Sequence, residues 1–208
     1  LGAMARLRHH RGHFVAVFVA TRVNLPTLYD TIKLAVAFGA RGLMLNRFNP
    51  GGRGRQNLAE LLPSVAEMRR ALEIANAAAD EFHLPISCSI PIQPCLIDNE
   101  AYDKLGFGFC AAGTERAYFT IDPVGQGRPC NHTPPGLGTR RGAPREATVA
   151  PARRAAFCRA RPANCAGCAL ADSCQGGCKA AAQVCYGALD EQEPFLRQGC
   201  LDEKREGG

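Results

Sequence analysis

Four cysteines in the run Cys165-x2-Cys168-x5-Cys174-x3-Cys178 constrain this chain more than any other feature. Four thiols within 14 residues can converge on one soft metal centre. Thiolates suit zinc and iron–sulfur clusters far better than hard cations. An upstream element, Cys110-x14-Gly125-x4-Cys130, makes the pattern more specific. Inside the run, Gln175-Gly176-Gly177 allows a close backbone approach, because Gly tolerates φ > 0. By spacing alone, Cys165, Cys168 and Cys174 form three corners of one cluster. The same four successive cysteines also suit a four-cysteine zinc site.

The 208-residue chain carries 11 Cys. The odd number, the C-x2-C spacing and the absence of a signal-peptide pattern favour a metal protein of a reducing compartment over a secreted disulfide scaffold. A cytoplasmic location is expected. The N-terminal segment, residues 1–10, does not begin with Met and reads as the end of a helix, as expected of a chain that begins inside a larger protein. No apolar run approaches the roughly 18 residues of a membrane span. The formal charge of +6 treats every Cys as neutral. Two clusters, each about −2 with four thiolates, lower it to about +2. The basic residues are scattered apart from Arg140-Arg141 and Arg153-Arg154. No nucleic-acid partner and no membrane partner are expected.

Residues 14–20 are a short apolar, β-branched run that predicts a buried strand. Asn24 and Pro26 read as a helix cap and first turn, and Leu25, Leu28, Ile32 and Val36 follow at helical spacing up to Gly39. Residues 42–45 predict a second strand and residues 49–55 a loop. Ser64 and Glu67 form a capping-box pattern. Leu61, Val65, Met68, Leu72, Ala75, Ala79 and Phe82 then mark an amphipathic helix. Residues 84–92 are extended. The order strand–helix–strand–helix–strand over 14–92 is the grammar of a parallel α/β sheet. After about residue 95 periodicity fades. Residues 118–125 predict a hairpin strand and turn, 133–156 a long loop with one short helix, and 179–185 a helix closed by Gly187.

The cysteine pattern and the Gly125-x4-Cys130 element resemble the SPASM domain, the auxiliary-cluster domain of many radical S-adenosylmethionine (radical SAM) enzymes. The resemblance implies an α/β fold: residues 1–92 as the C-terminal part of a (βα)6 partial barrel, strands five and six with their helices. Residues 93–208 would be a small, metal-stapled domain of a β-hairpin and short helices. It implies two [4Fe–4S] auxiliary clusters, with S-adenosylmethionine bound only by the complete enzyme. Cys178 would cross over to join Cys110 and Cys130 on the first cluster. Cys95 is the nearest thiol for the fourth position there, with an open iron, an Asp or a His such as His132 as alternatives. Cys165, Cys168 and Cys174 would hold the second, closed by Cys200, which follows an acidic-Pro pair, Glu193-Pro194, or by Cys185. Cys200 is preferred, leaving Cys185 a buried helical thiol. Cys88 and Cys158 read as non-ligands.

Val19-Ala-Thr-Arg-Val-Asn24 and Phe48-Asn-Pro-Gly51 resemble the ends of the family's strands five and six. That resemblance would put Thr21, Asn24, Phe48 and Asn49 on the SAM rim, because active sites of such barrels sit at the C-terminal strand ends. The loop carrying Arg53 and Arg55 lacks the Gly-Lys-Ser/Thr of a P-loop and reads as a surface turn, with a face toward an anionic substrate as the alternative. The family's SAM-cleaving signature, C-x3-C-x2-C, is absent: Cys174-x3-Cys178 begins it, but residue 181 is Ala. This chain alone is therefore not expected to cleave SAM. The implied partners are a peptide or protein substrate and an electron donor such as flavodoxin or ferredoxin, the clusters relaying electrons or binding substrate. A tetrapyrrole-acting branch in haem synthesis shares a segment similar to Gly176-Gly177-Cys178-Lys179-Ala180. Two rivals remain: a stand-alone electron-transfer or peptide-binding module, and a structural zinc protein.

Overall fold

Apolar periodicity dictates the first half of the fold. In this computed structural model residues 1–112, 120–121, 123, 127–133 and 151–199 are described, with backbone alone at 151–154. After helix α1 (Gly2–His9), strand β1 (Ala16–Ala20), helix α2 (Leu28–Ala37) and strand β2 (Leu43–Arg47) follow in turn. Two short helices, α3 (Arg53–Gln56) and α4 (Leu58–Leu61), lead into the long helix α5 (Val65–Phe82) and strand β3 (Ile86–Cys88). The α3 helix occupies part of what composition read as a loop. Strand β4 (Leu105–Phe107) completes a parallel sheet of order β1-β2-β3-β4. The chain is thus mixed α/β with a parallel four-stranded sheet.

The capping box of α5 is complete. Glu67 N donates to Ser64 Oγ at 3.1 Å, and Ser64 N donates to the Glu67 carboxylate at 2.7 Å. Val65, Met68, Leu72, Ala75 and Ala79 are buried along one face, with Ala71 and Ala78 beside them. Leu28, Ile32 and Ala35 of α2 pack into the same core. Asn24 does not cap α2. Pro26 lies in a 3-10 turn, Leu25–Thr27, and α2 begins only at Leu28. The Asn24 amide instead turns back, donating to Val19 O at 2.9 Å and accepting from Thr21 N at 2.8 Å.

Within the run 14–20 the strand is Ala16–Ala20, and it is not buried on both faces. Ala16, Phe18 and Ala20 enter the core, while Val15, Val17 and Val19 are exposed. β1 is an edge strand, and the helices cover one face of the sheet. An all-apolar run carries no record of which face acquires a covering layer.

The sheet and its core extend past residue 92. β4 pairs in parallel with β3, Ile86 opposite Leu105 and Cys88 opposite Phe107. Three residues are too few to show a period in sequence. Phe195 and Leu196, in a helical segment over 194–199, join the same hydrophobic core. Downstream, β5 (Thr120–Ile121) pairs antiparallel with β6 (Gly127–Arg128), a hairpin where one was expected. Gly125 and residues 134–150 of the expected loop lie outside the described residues. Helices α6 (Pro151–Arg159), α7 (Ala171–Cys174) and α8 (Lys179–Tyr186) follow, α8 closing at Gly187 with φ 91°. Among the described residues no helix is long and apolar enough to cross a membrane.

Two substitutions separate cap from core. Ser64→Ala should cost about 1 kcal/mol through loss of the cap. Leu72→Ala should cost about 2–5 kcal/mol through the cavity it leaves. Urea denaturation followed by circular dichroism measures both, and equal costs would contradict this assignment of roles.

Candidate metal centre

Strand β2 alternates Leu43, Leu45, Arg47 on its buried face, so its last inward residue is a charge. The Arg47 side chain is 0% exposed and its partner Glu193 is 1% exposed. Arg47 Nη2 pairs with Glu193 Oε1, and Arg47 Nε donates to Pro91 O at 2.7 Å. Gln93 Nε2 donates to the same Glu193 oxygen, and so does the backbone N of Cys178, at 3.3 Å. The Arg47 guanidinium also lies 5.0 Å from the centre of the Phe195 ring. Residues 47, 93, 178 and 193 therefore meet at one carboxylate.

The glycine turn makes this meeting possible. Gln175, Gly176 and Gly177 all have positive φ, and a Cβ on Gly177 would collide with Gln93 Nε2 and Glu193 Oε1. The close approach expected from the sequence is an approach to Glu193. Glu193-Pro194 is visible in the sequence as an acidic-Pro pair, but the buried network around it is not. The inward register of Arg47 was the one signal that pointed to it.

Beside the network lies a cavity of about 490 Å³. Cys110, Cys130 and Cys178 line it, together with Arg47, Asn49 and His132. The three thiols come from three segments: Cys110 follows β4, Cys130 follows β6, and Cys178 immediately precedes α8. Thr133 closes the turn at Cys130, its N and Oγ1 donating to Cys130 O at 3.1 and 2.7 Å. Asn49 Nδ2 donates to Cys178 Sγ at 3.3 Å. Burial, followed by the negative charge of Glu193, pushes the Cys178 thiol up to about 12, while Arg47 and Asn49 act in the opposite direction. Burial lowers the pKa of His132, which favours the neutral imidazole that can ligate a metal. Buried Lys179 donates Nζ to Phe157 O at 2.7 Å and to Cys158 O at 3.0 Å, tying α8 to the end of α6.

Cys95 is exposed, on the turn after Gln93, and is not among the residues lining this cavity. Cys165, Cys168 and Cys174 follow one another through successive turns. Cys168 N donates to Cys165 O at 3.2 Å, and Gly177 N to Cys174 O at 3.3 Å. Cys174 is buried, Cys165 half-buried and Cys168 exposed. Cys200 lies outside the described residues. Cys185, expected to be buried, is only half-buried, because it stands near the end of α8. Cys158 is likewise half-buried. Cys88 is core, as its strand alternation implied, and burial pushes its thiol up to about 12. Among the described residues, no three His, Cys, Asp or Glu side chains form a group that would hold a single metal ion.

The four residues expected on a SAM rim lie just past the C-terminal ends of the paired strands β1 and β2, where Phe48 N donates to Ala20 O at 2.8 Å, and they make different contacts. Thr21 and Asn24 bond to each other, Thr21 Oγ1 to Asn24 Oδ1 at 3.0 Å. Phe48 is buried in the core. Asn49 faces the cysteine cavity. The chain matches no family model and no curated protein sequence.

The ion pair predicts its own energetics. Glu193→Ala leaves the Arg47 charge buried without a partner and should cost about 3–5 kcal/mol. Glu193→Gln, which keeps an acceptor, should cost less. Urea midpoints measure both; a loss below about 1 kcal/mol for Glu193→Ala would show that water reaches Arg47.

Proposed function

We propose that this chain is the iron–sulfur cluster-binding, C-terminal portion of a radical SAM/SPASM maturase acting on a peptide or protein. The observation that carries this reading is the shared cavity of Cys110, Cys130 and Cys178. Those are the three thiols that the resemblance assigns to one auxiliary cluster, although Cys178 is sequentially part of the other run. Soft thiolates suit an iron–sulfur cluster. Each iron of a cluster takes its own thiolate, so cluster ligands stand farther apart than the ligands of one ion.

Cys110, Cys130 and Cys178 would hold the first cluster, with His132 on the cavity wall as a candidate for the fourth position. Cys165, Cys168, Cys174 and Cys200 would hold the second. When bound, each would supply one-electron redox chemistry or an iron site for substrate. The chain's own contribution is burial and positioning. Glu193 fixes the backbone at Cys178, Arg47 and Gln93 hold Glu193, and Phe109, Ile90 and Pro91 give the cavity apolar walls. The open edge of β1 and its exposed valines fit a sheet that continues in further parallel strands, which supports a partial barrel. S-adenosylmethionine would bind only in the complete enzyme, with a flavodoxin or ferredoxin as electron donor.

Metal analysis after anaerobic purification tests this reading. About eight iron and eight sulfide per chain are expected. Cys130→Ala and Cys178→Ala should each roughly halve that content, and Cys88→Ala should leave it unchanged. Zinc without sulfide would replace the reading with a structural zinc protein.

A further inference from the structure

Cys178 Sγ has a side-chain donor that neither cluster assignment uses. Asn49 Nδ2 lies 3.3 Å from it, and both ends of this hydrogen bond are held in place. Asn49 follows Arg47 and Phe48, both buried, and Phe48 N donates to Ala20 O at 2.8 Å. Cys178 is fixed through its own N–H on Glu193, the partner of Arg47. One ion pair thus positions donor and acceptor alike. The other end of the amide, Asn49 Oδ1, is buried and has no partner among the described residues, so the bond to sulfur is what orients the side chain.

We propose that Asn49 is a tuning residue: its amide N–H, donated to the Cys178 thiolate, raises the reduction potential of the centre that Cys178 ligates. The inference rests on the cluster reading above. Reduction adds one electron and makes the thiolate-ligated cluster more negative. A fixed donor on a ligand sulfur stabilises that added charge, and hydrogen bonds to the sulfurs are among the features that set cluster potentials. Asn49 is therefore assigned to the metal centre.

The test compares wild type, Asn49→Ser and Asn49→Asp, purified anaerobically. Iron and sulfide are quantified, and each chain is titrated with dithionite under EPR. Serine is too short to reach the sulfur, and aspartate replaces the donor with a repelling carboxylate. Iron and sulfide should match wild type. The midpoint of one centre should become more negative in Asn49→Ser and more negative still in Asn49→Asp, with the second centre unmoved. Unchanged midpoints at full iron content would overturn the proposal. So would loss of iron in both variants, which would make Asn49 a builder of the site. A wild-type chain that holds no iron and sulfide would overturn the cluster reading, and this inference with it, so the two failures are distinct.

Discussion

The structure depends on a buried charge pair, Arg47 with Glu193. Two ions taken out of water lose more solvation than their attraction returns unless further hydrogen bonds complete them. Here Pro91 O completes Arg47, and Gln93 Nε2 and the N–H of Cys178 converge on Glu193 Oε1, while Glu193 Oε2 is buried with no hydrogen-bond partner among the described residues. That requirement is geometric. The pair tolerates little displacement, so it ties the end of β2, the turn after β3, the start of α8 and the C-terminal helical segment to one point. Phe195 and Leu196 then extend the sheet's own hydrophobic core beneath it.

From that point the cavity follows. The sheet carries helices on one face, while β1 presents valines on the other. The cavity opens at the ends of β1 and β2, where Val19, Asn46 and Asn49 meet the cysteine-bearing segments. Gly177 lets the backbone cross Glu193 closely enough to present Cys178 to that space. The ion pair is thus a structural anchor and also the support of the candidate ligand, which places fold stability and site geometry under one interaction.

The parts of the fold legible in sequence are those with long periods or local chemistry. Helix α5 shows its buried face over 18 residues and its cap through Ser64 and Glu67. Strands β1 and β2 show in short β-branched or apolar runs bounded by turn residues. β4 does not show, because three residues carry no period and its place comes from pairing with β3. Asn24 misleads as a cap because its amide has a better partner in the end of β1. At the site, thiol spacing singled out Cys110, Cys130 and Cys178 through resemblance. Gln93 and Asn49 are not legible as its supports, since each is local in sequence to something else, and Arg47 shows only through its inward register in β2.

The sequence by itself determined the parallel α/β grammar of residues 14–92, the capped helix within it and a thiol-rich second half suited to soft metals. These follow from nearest-neighbour geometry, helical and strand periodicity and ligand chemistry, all of which act over a few residues. Only the tertiary structure decided that β1 is open on one face, that three cysteines from separate segments share one cavity and that a buried carboxylate at Glu193 holds one of them, Cys178, to β2. Those facts depend on which distant surfaces meet, and burial turns an ordinary Arg or Glu into an anchor only after that meeting has excluded water.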